Sequence, residues 1–129
     1  MTPILIQIPP GELMDRITIL RLKVTHVQDE AKRARLRVEL DGLTSAWEGL
    51  PAVAELAAIV EELAGVNARL WEVEDELRSC ERRRDFGESF IEQARSVYRL
   101  NDRRSALKQK INQVLGSEAG EEKVYAHPR

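Results

Sequence analysis

Residues 56–80 read LAAIVEELAGVNARLWEVEDELRSC. Leu56, Ile59, Leu63, Val66, Leu70, Val73, Leu77 and Cys80 recur at alternating spacings of three and four, and every seat is apolar. Such a repeat lays one stripe along a helix and requires partner helices with a matching stripe. A half-buried strand would instead alternate at every second residue. The stretch predicts a helix over about 51–84. Pro51 suits the first helical position, where its missing N–H would be unpaired anyway, and DFGES at 85–89 supplies the turn that follows.

The same period extends in both directions. Upstream, Leu13, Ile17, Leu20, Val24, Val27, Ala31, Ala34 and Val38 keep the spacing, and Leu36, Leu40, Leu43 and Trp47 continue on a shifted line. One long helix over about 11–48 is expected, with Glu12 and Asp15 in its dipole-sensitive start, a bend at Gly42 and a stop at Gly49. Downstream, Phe90, Ala94 or Gln93, Val97, Leu100, Arg104, Leu107, Ile111 and Val114 mark a helix over about 88–115. Ser89 and Glu92 have the spacing of a capping box. Residues 4–8 and 123–125 read as short extended pieces that could pair, within an N-terminal segment and a polar tail at 117–129. The fold expected is all-α. It is an elongated antiparallel three-helix bundle or coiled coil, one domain over 1–129, with helices about 45 Å long at 1.5 Å per residue. A bundle this slender leaves apolar flanks, and a homodimer is expected.

Bulk composition narrows the function classes. Twenty basic residues against 22 acidic ones give a net charge of −2, which argues against a general nucleic-acid binder. The single cysteine rules out an internal disulfide and suits a reducing compartment. No run reaches the length of a membrane span, and MTPILIQIPPGEL lacks the basic start of a signal peptide. A cytoplasmic protein is expected, with neither membrane nor nucleic acid as a partner.

Beside the apolar seam of the second helix runs a polar line: Asn67, Trp71, Glu74 and Arg78, with Asp75 and Glu72 further round. The third helix carries Tyr98, Asn101, Ser105, Lys108 and Asn112 on one line, with Arg95 and Asp102 alongside. Flanking charges of helical bundles are commonly solvated pairs that contribute little. The alternative is a polar groove between the two helices, built from Asn67, Trp71, Glu74, Asp75, Arg78, Arg95, Tyr98, Asn101, Asp102 and Lys108. There Arg78, Arg95 and Lys108 would meet a small anionic ligand. In that arrangement Trp71, Glu74 and Arg78 face Arg95, Tyr98 and Asn101, and the Glu74–Arg78 pair is partly desolvated.

Enzymatic readings are less complete. Glu72 and Asp75 form the E-x-x-D half of a magnesium site of the kind all-helical nucleotide pyrophosphohydrolases use, but the matching half is absent from the expected interval. A chorismate-mutase-like site would need an arginine spacing that is not evident. Cys80 completes an apolar stripe, and His26 and His127 have no metal-ligand spacing, so neither a metal nor another cofactor is expected. The basic runs KRARLR at 32–37 and ERRRD at 81–85 are flanked by acids and read as solvated faces or partner contacts.

GELMDRITILRLK at the start, LWEVEDELR, FIEQARSVYRLNDRRSALKQKIN and GSEAGEEKVY together resemble a family of small bacterial and phage proteins known only as a domain of unknown function. The resemblance covers both ends and the second and third helices, while residues 29–66 carry little of it. It implies no established activity. The occurrence of relatives near glycosyltransferase and surface-polysaccharide genes implies a role in glycan metabolism. The resembling segments contain Glu12, Asp15 and Asn112 together with the groove residues of both helices from Trp71 onward. The resemblance thus points to the groove and to a binding or interaction module more than to a small enzyme acting on an anionic metabolite.

Overall fold

The computed structural model describes residues 2–116. Four helices follow one another: α1 (Pro10–His26), α2 (Glu30–Glu48), α3 (Leu56–Arg83) and α4 (Glu88–Gly116). No strand occurs among the described residues, and residues 4–8 are non-helical with Ile4, Leu5 and Ile6 largely exposed. The second extended piece expected, at 123–125, and the rest of the tail lie outside the described residues.

The chain is all-α, but the helix count is four because the expected first helix is two. Val27 takes an extended backbone conformation (φ −70°, ψ 141°), and Asp29 opens a new helix by accepting from the Ala31 and Lys32 amides at 2.9 and 3.4 Å. Arg33 closes the elbow from the other side. Its Nε donates to the Val24 carbonyl at 3.2 Å and its Nη2 to the Val27 carbonyl, so the last carbonyls of α1 find partners. Helix-end groups on both sides thereby find partners, and the break occurs at residues 27–29 rather than as a bend at Gly42, which sits inside α2.

Breaking the helix also changes its phase. Leu13, Ile17 and Leu20 of α1 are buried, whereas Ala31, Ala34 and Val38, which extend the same stripe, are exposed. The shifted line prevails in α2: Leu40, Leu43 and Trp47 pack partly against the core, though no residue of α2 is fully buried. The backbone of α2 closely approaches that of α1 and of no other described helix.

One other boundary and one cap differ from expectation. Residues 51–53 are non-helical, and α3 begins at Leu56, with the Leu56 amide bonded to the Val53 carbonyl at 3.1 Å. Pro51 thus precedes the helix rather than opening it. The non-helical stretch lets Val53 pack against the core, a contact that outweighs Pro51's local preference. Helix α4 begins at Glu88, with Gly87 accepting from the Ile91 amide at 3.1 Å, so Ser89 lies inside the helix and not at its cap.

The core is where α1, α3 and α4 meet. Leu13, Met14, Ile17, Leu56, Leu63, Leu107 and Ile111 form one buried cluster. Leu70, Val73 and Cys80 continue the α3 seam in buried positions, as the repeat predicts. Arg103 reaches Glu62 across the α3–α4 pair, while Glu12 and Asp15 reach Lys108 and Arg104. These pairings run α4 antiparallel to both α1 and α3.

Candidate functional site

The N-terminus of α1 presses hard on α4. A Cβ at Gly11 would stand 2.2 Å from the Lys108 carbonyl oxygen, so only glycine fits. An amide of that first turn with no partner inside the helix is capped from across the interface, the Gly11 N–H donating to Asn112 Oδ1 at 2.7 Å. This approach brings the next two acidic residues of α1 within reach of cations on α4. Lys108 Nζ donates to Glu12 Oε1 at 2.7 Å. Asp15, only 1% exposed, receives Arg104 in a two-bond fork, Nε to Oδ1 at 2.8 Å and Nη2 to Oδ2 at 2.5 Å.

Helix α3 completes the cluster. Buried Asn67 donates from Nδ2 to Asp15 Oδ1 at 2.9 Å and to Thr18 Oγ1 at 2.8 Å, and the Thr18 hydroxyl donates to the Asp15 carbonyl. One carboxylate therefore ties three helices together. Burial alone would push the Asp15 carboxyl up, but the Arg104 fork and the Asn67 amide outweigh it and hold it below the usual carboxylate range. The hydrogen bond from Lys108 does the same for Glu12, and the Asp15 bond raises Arg104.

A cleft of about 280 Å³ opens onto this cluster. Ile19, Leu22 and Leu70 give it an apolar floor, while Asn67, Trp71, Glu74, Asn101 and Arg104 surround it with polar groups. Arg104 Nη1 donates to Asn101 Oδ1 at 3.3 Å, which orients the guanidinium along the wall. Asn67 Oδ1 accepts from no donor among the described residues, since both of its bonds run through Nδ2. The cleft thus offers donors (Arg104, Asn101), acceptors (Asn67, Glu74) and an aromatic side chain.

The ten residues singled out from the sequence separate into two groups. Asn67, Trp71, Glu74 and Asn101 line the cleft, and Lys108 belongs to the ion cluster behind it. Asp75, Arg78, Arg95, Tyr98 and Asp102 lie outside it on exposed faces. Arg78 pairs with Glu74 at 3.6 Å and Asp75 at 3.3 Å on its own helix, in solvent, and does not meet Arg95, Tyr98 or Asn101. Tyr98 is 56% exposed and lies beneath the Arg99 guanidinium. Trp71 stacks on His26 of α1, with ring centroids 4.6 Å apart.

Glu12, Asp15, Thr18 and Arg104 are members of the cluster that are not among those ten residues. Arg104 carried a signal: it is the one charged residue in the apolar repeat of its helix. A cation in a core seat demands a buried carboxylate, and Asp15 shares a helical line with Gly11 and Thr18 on a different side of α1 from the Leu13–Ile17 stripe. Glu72 and Asp75, the half-site for magnesium, are both exposed. No group of three metal-ligating side chains occurs among the described residues. No helix among them is long and apolar enough to cross a membrane.

No curated protein and no solved structure matches this chain. One family does match, over residues 4–129, a span that takes in the glycine-led start of α1, the α3 polar line and the whole of α4: the chain belongs to the Family of unknown function (DUF6165).

Proposed function

We propose that the protein is a helical binding module whose cleft between α3 and α4, closed by α1, takes a small hydroxyl-rich ligand of the glycan type. The observation that carries this reading is the mixed set of groups around one aromatic side chain: Arg104 and Asn101 donate, Asn67 and Glu74 accept, and Trp71 offers an apolar face. A sugar presents paired donors and acceptors on an otherwise apolar ring, and such a set matches it better than a plain anion, because Arg104 is already neutralised by Asp15. A negatively charged sugar derivative remains compatible through the N–H groups of Arg104 not engaged by Asp15 and Asn101. The genomic neighbourhood implied by the family resemblance agrees with a glycan ligand.

The test is titration with a panel of unmodified hexoses and hexose phosphates, followed by NMR amide shifts. Saturable shifts confined to residues around 67–74 and 101–104, abolished by Glu74→Gln with Asn101→Ala, are the expected result. Ligands that leave those amides unmoved, or shifts that survive the double substitution, would remove the reading. We further propose that the protein works as a cytoplasmic homodimer through the outer face of α4, where Ile91 and Tyr98 stand exposed one heptad apart. Light scattering should then give about twice the 14.7 kDa chain mass, falling to one chain mass in Ile91→Glu/Tyr98→Glu. A wild-type monomer at high micromolar concentration would rule the dimer out.

A further inference from the structure

We propose that the α1–α2 elbow carries a second binding site, for a planar organic anion. A cleft of about 370 Å³ lies there, lined by Lys23, His26, Val27, Lys32, Leu36 and Trp71. Its volume is within the range that holds a small organic molecule. The lining divides by chemistry. Val27, Leu36 and the rings of His26 and Trp71, stacked on each other with planes 28° apart, make an apolar slot. Lys23 and Lys32 stand on the rim from two different helices.

Charge accounting at the elbow gives the sign of the ligand. The charged groups that close the elbow are already partnered. Arg33 is held by Glu30 and by the carbonyls of Val24 and Val27, and Asp29 is held by the amides of Ala31 and Lys32. The ammonium groups of Lys23 and Lys32, by contrast, make no hydrogen bond or ion pair among the described residues. Two uncommitted ammonium groups therefore face an apolar slot without a matching carboxylate. His26 Nδ1 lies 2.8 Å from the Leu22 carbonyl, which can only accept, so that nitrogen carries the proton and the ring is held in its stacked orientation. An aromatic carboxylate, sulfonate or phosphate ester would pack its ring in the slot beside the His26–Trp71 stack and place its charge between the lysines. An inorganic anion would forfeit the slot, and a neutral aromatic would forfeit the lysines. The same basic run, 32–37, that reads from the sequence as a solvated face thereby gains a purpose at its first residue.

The experiment uses the full chain with Trp47→Phe, which leaves Trp71 as the sole tryptophan of the two. The probe is 8-anilinonaphthalene-1-sulfonate, compared with N-phenyl-1-naphthylamine, which has the same rings and no charge. The sulfonate should quench Trp71 by energy transfer and saturate at one per chain. Lys23→Gln/Lys32→Gln should weaken it roughly tenfold, as loss of two complementary charges does, and leave the neutral probe within about twofold. Both lysines are exposed, so the variant folds, and an unchanged thermal midpoint checks this. Trp71→Leu, read by probe emission, should weaken both probes. Equal loss of both probes in the lysine variant, no loss of either, or several equivalent sites per chain would overturn the proposal. Glu74→Gln/Asn101→Ala should leave sulfonate binding unchanged, which separates this site from the neighbouring cleft.

Discussion

Helix α3 displays the same kinds of polar residue in two settings about two to three turns apart. At Asn67 the helix meets Asp15 and Arg104 in a buried three-helix junction; at Glu74, Asp75 and Arg78 it holds its charges in solvent. The first cluster pairs residues from different helices, with a carboxylate 1% exposed; the second pairs residues three and four apart whose side chains are each more than half exposed. A buried pair is expensive to break because the survivor is stranded without water, whereas an exposed pair loses little. The comparison teaches that spacing along one helix does not reveal which polar residues matter for the fold. What decides is which of them another helix covers.

The largest break should come from Asp15→Ala. It strands the Arg104 guanidinium and the Asn67 amide, and should cost about 3–5 kcal/mol in chemical denaturation, as removal of one member of a buried pair does. A loss below about 1 kcal/mol would mean that water reaches the junction. Replacing Asp15 and Arg104 together by apolar residues of similar size should cost less than Asp15→Ala alone, because no charge is then left unpaired.

Gly11→Ala tests the close approach that builds the junction. The added methyl collides with backbone at Lys108, which cannot swing aside as a side chain could. We expect a loss of about 1–3 kcal/mol, the range for overpacking a tight contact. Gly65→Ala, where a Cβ meets nothing, should instead be neutral or slightly stabilising, since alanine favours a helix.

Acid should separate the two regions without any mutation. Asp15 and Glu12 both titrate below their ordinary values in the folded chain, so each contributes stability that is fully present above the usual carboxylate range. That contribution is lost as pH falls through the depressed folded values. Denaturation curves should therefore show stability falling below about pH 4, with a smaller fall in Asp15→Asn. An identical acid response in wild type and variant would place the linkage elsewhere.

The smallest effect belongs to the exposed ridge. A double-mutant cycle on Glu74 and Arg78 should give a coupling of a few tenths of a kcal/mol, typical of an exposed i,i+4 pair. A value above about 1 kcal/mol would show that this ridge is covered in solution, as a second copy of the chain could do.

The apolar repeat determined much of this protein by itself. Every seat from Leu56 to Cys80 lies in or partly in the core, because burying a continuous stripe is the strongest demand such a sequence makes. The end of α3 near Arg83 and the start of α4 near Glu88 were likewise legible, from DFGES and the return of the period. Family membership was legible in the motifs, and half of the residues chosen for the groove do line the cleft or stand behind it. The elbow at residues 27–29 was not read. Asp29 is a good cap, but a cap signal competes with an unbroken apolar spacing, and only the side chain of Arg33 reaching back to α1 resolves the contest. The junction was likewise left to tertiary structure. Asp15, Asn67 and Arg104 are separated by 52 and 37 positions in the chain, and nothing local distinguishes a carboxylate that α4 will cover from one that water will. Their partnership depends on Gly11 letting two helix backbones approach, which is a property of the packed helices and not of any one segment.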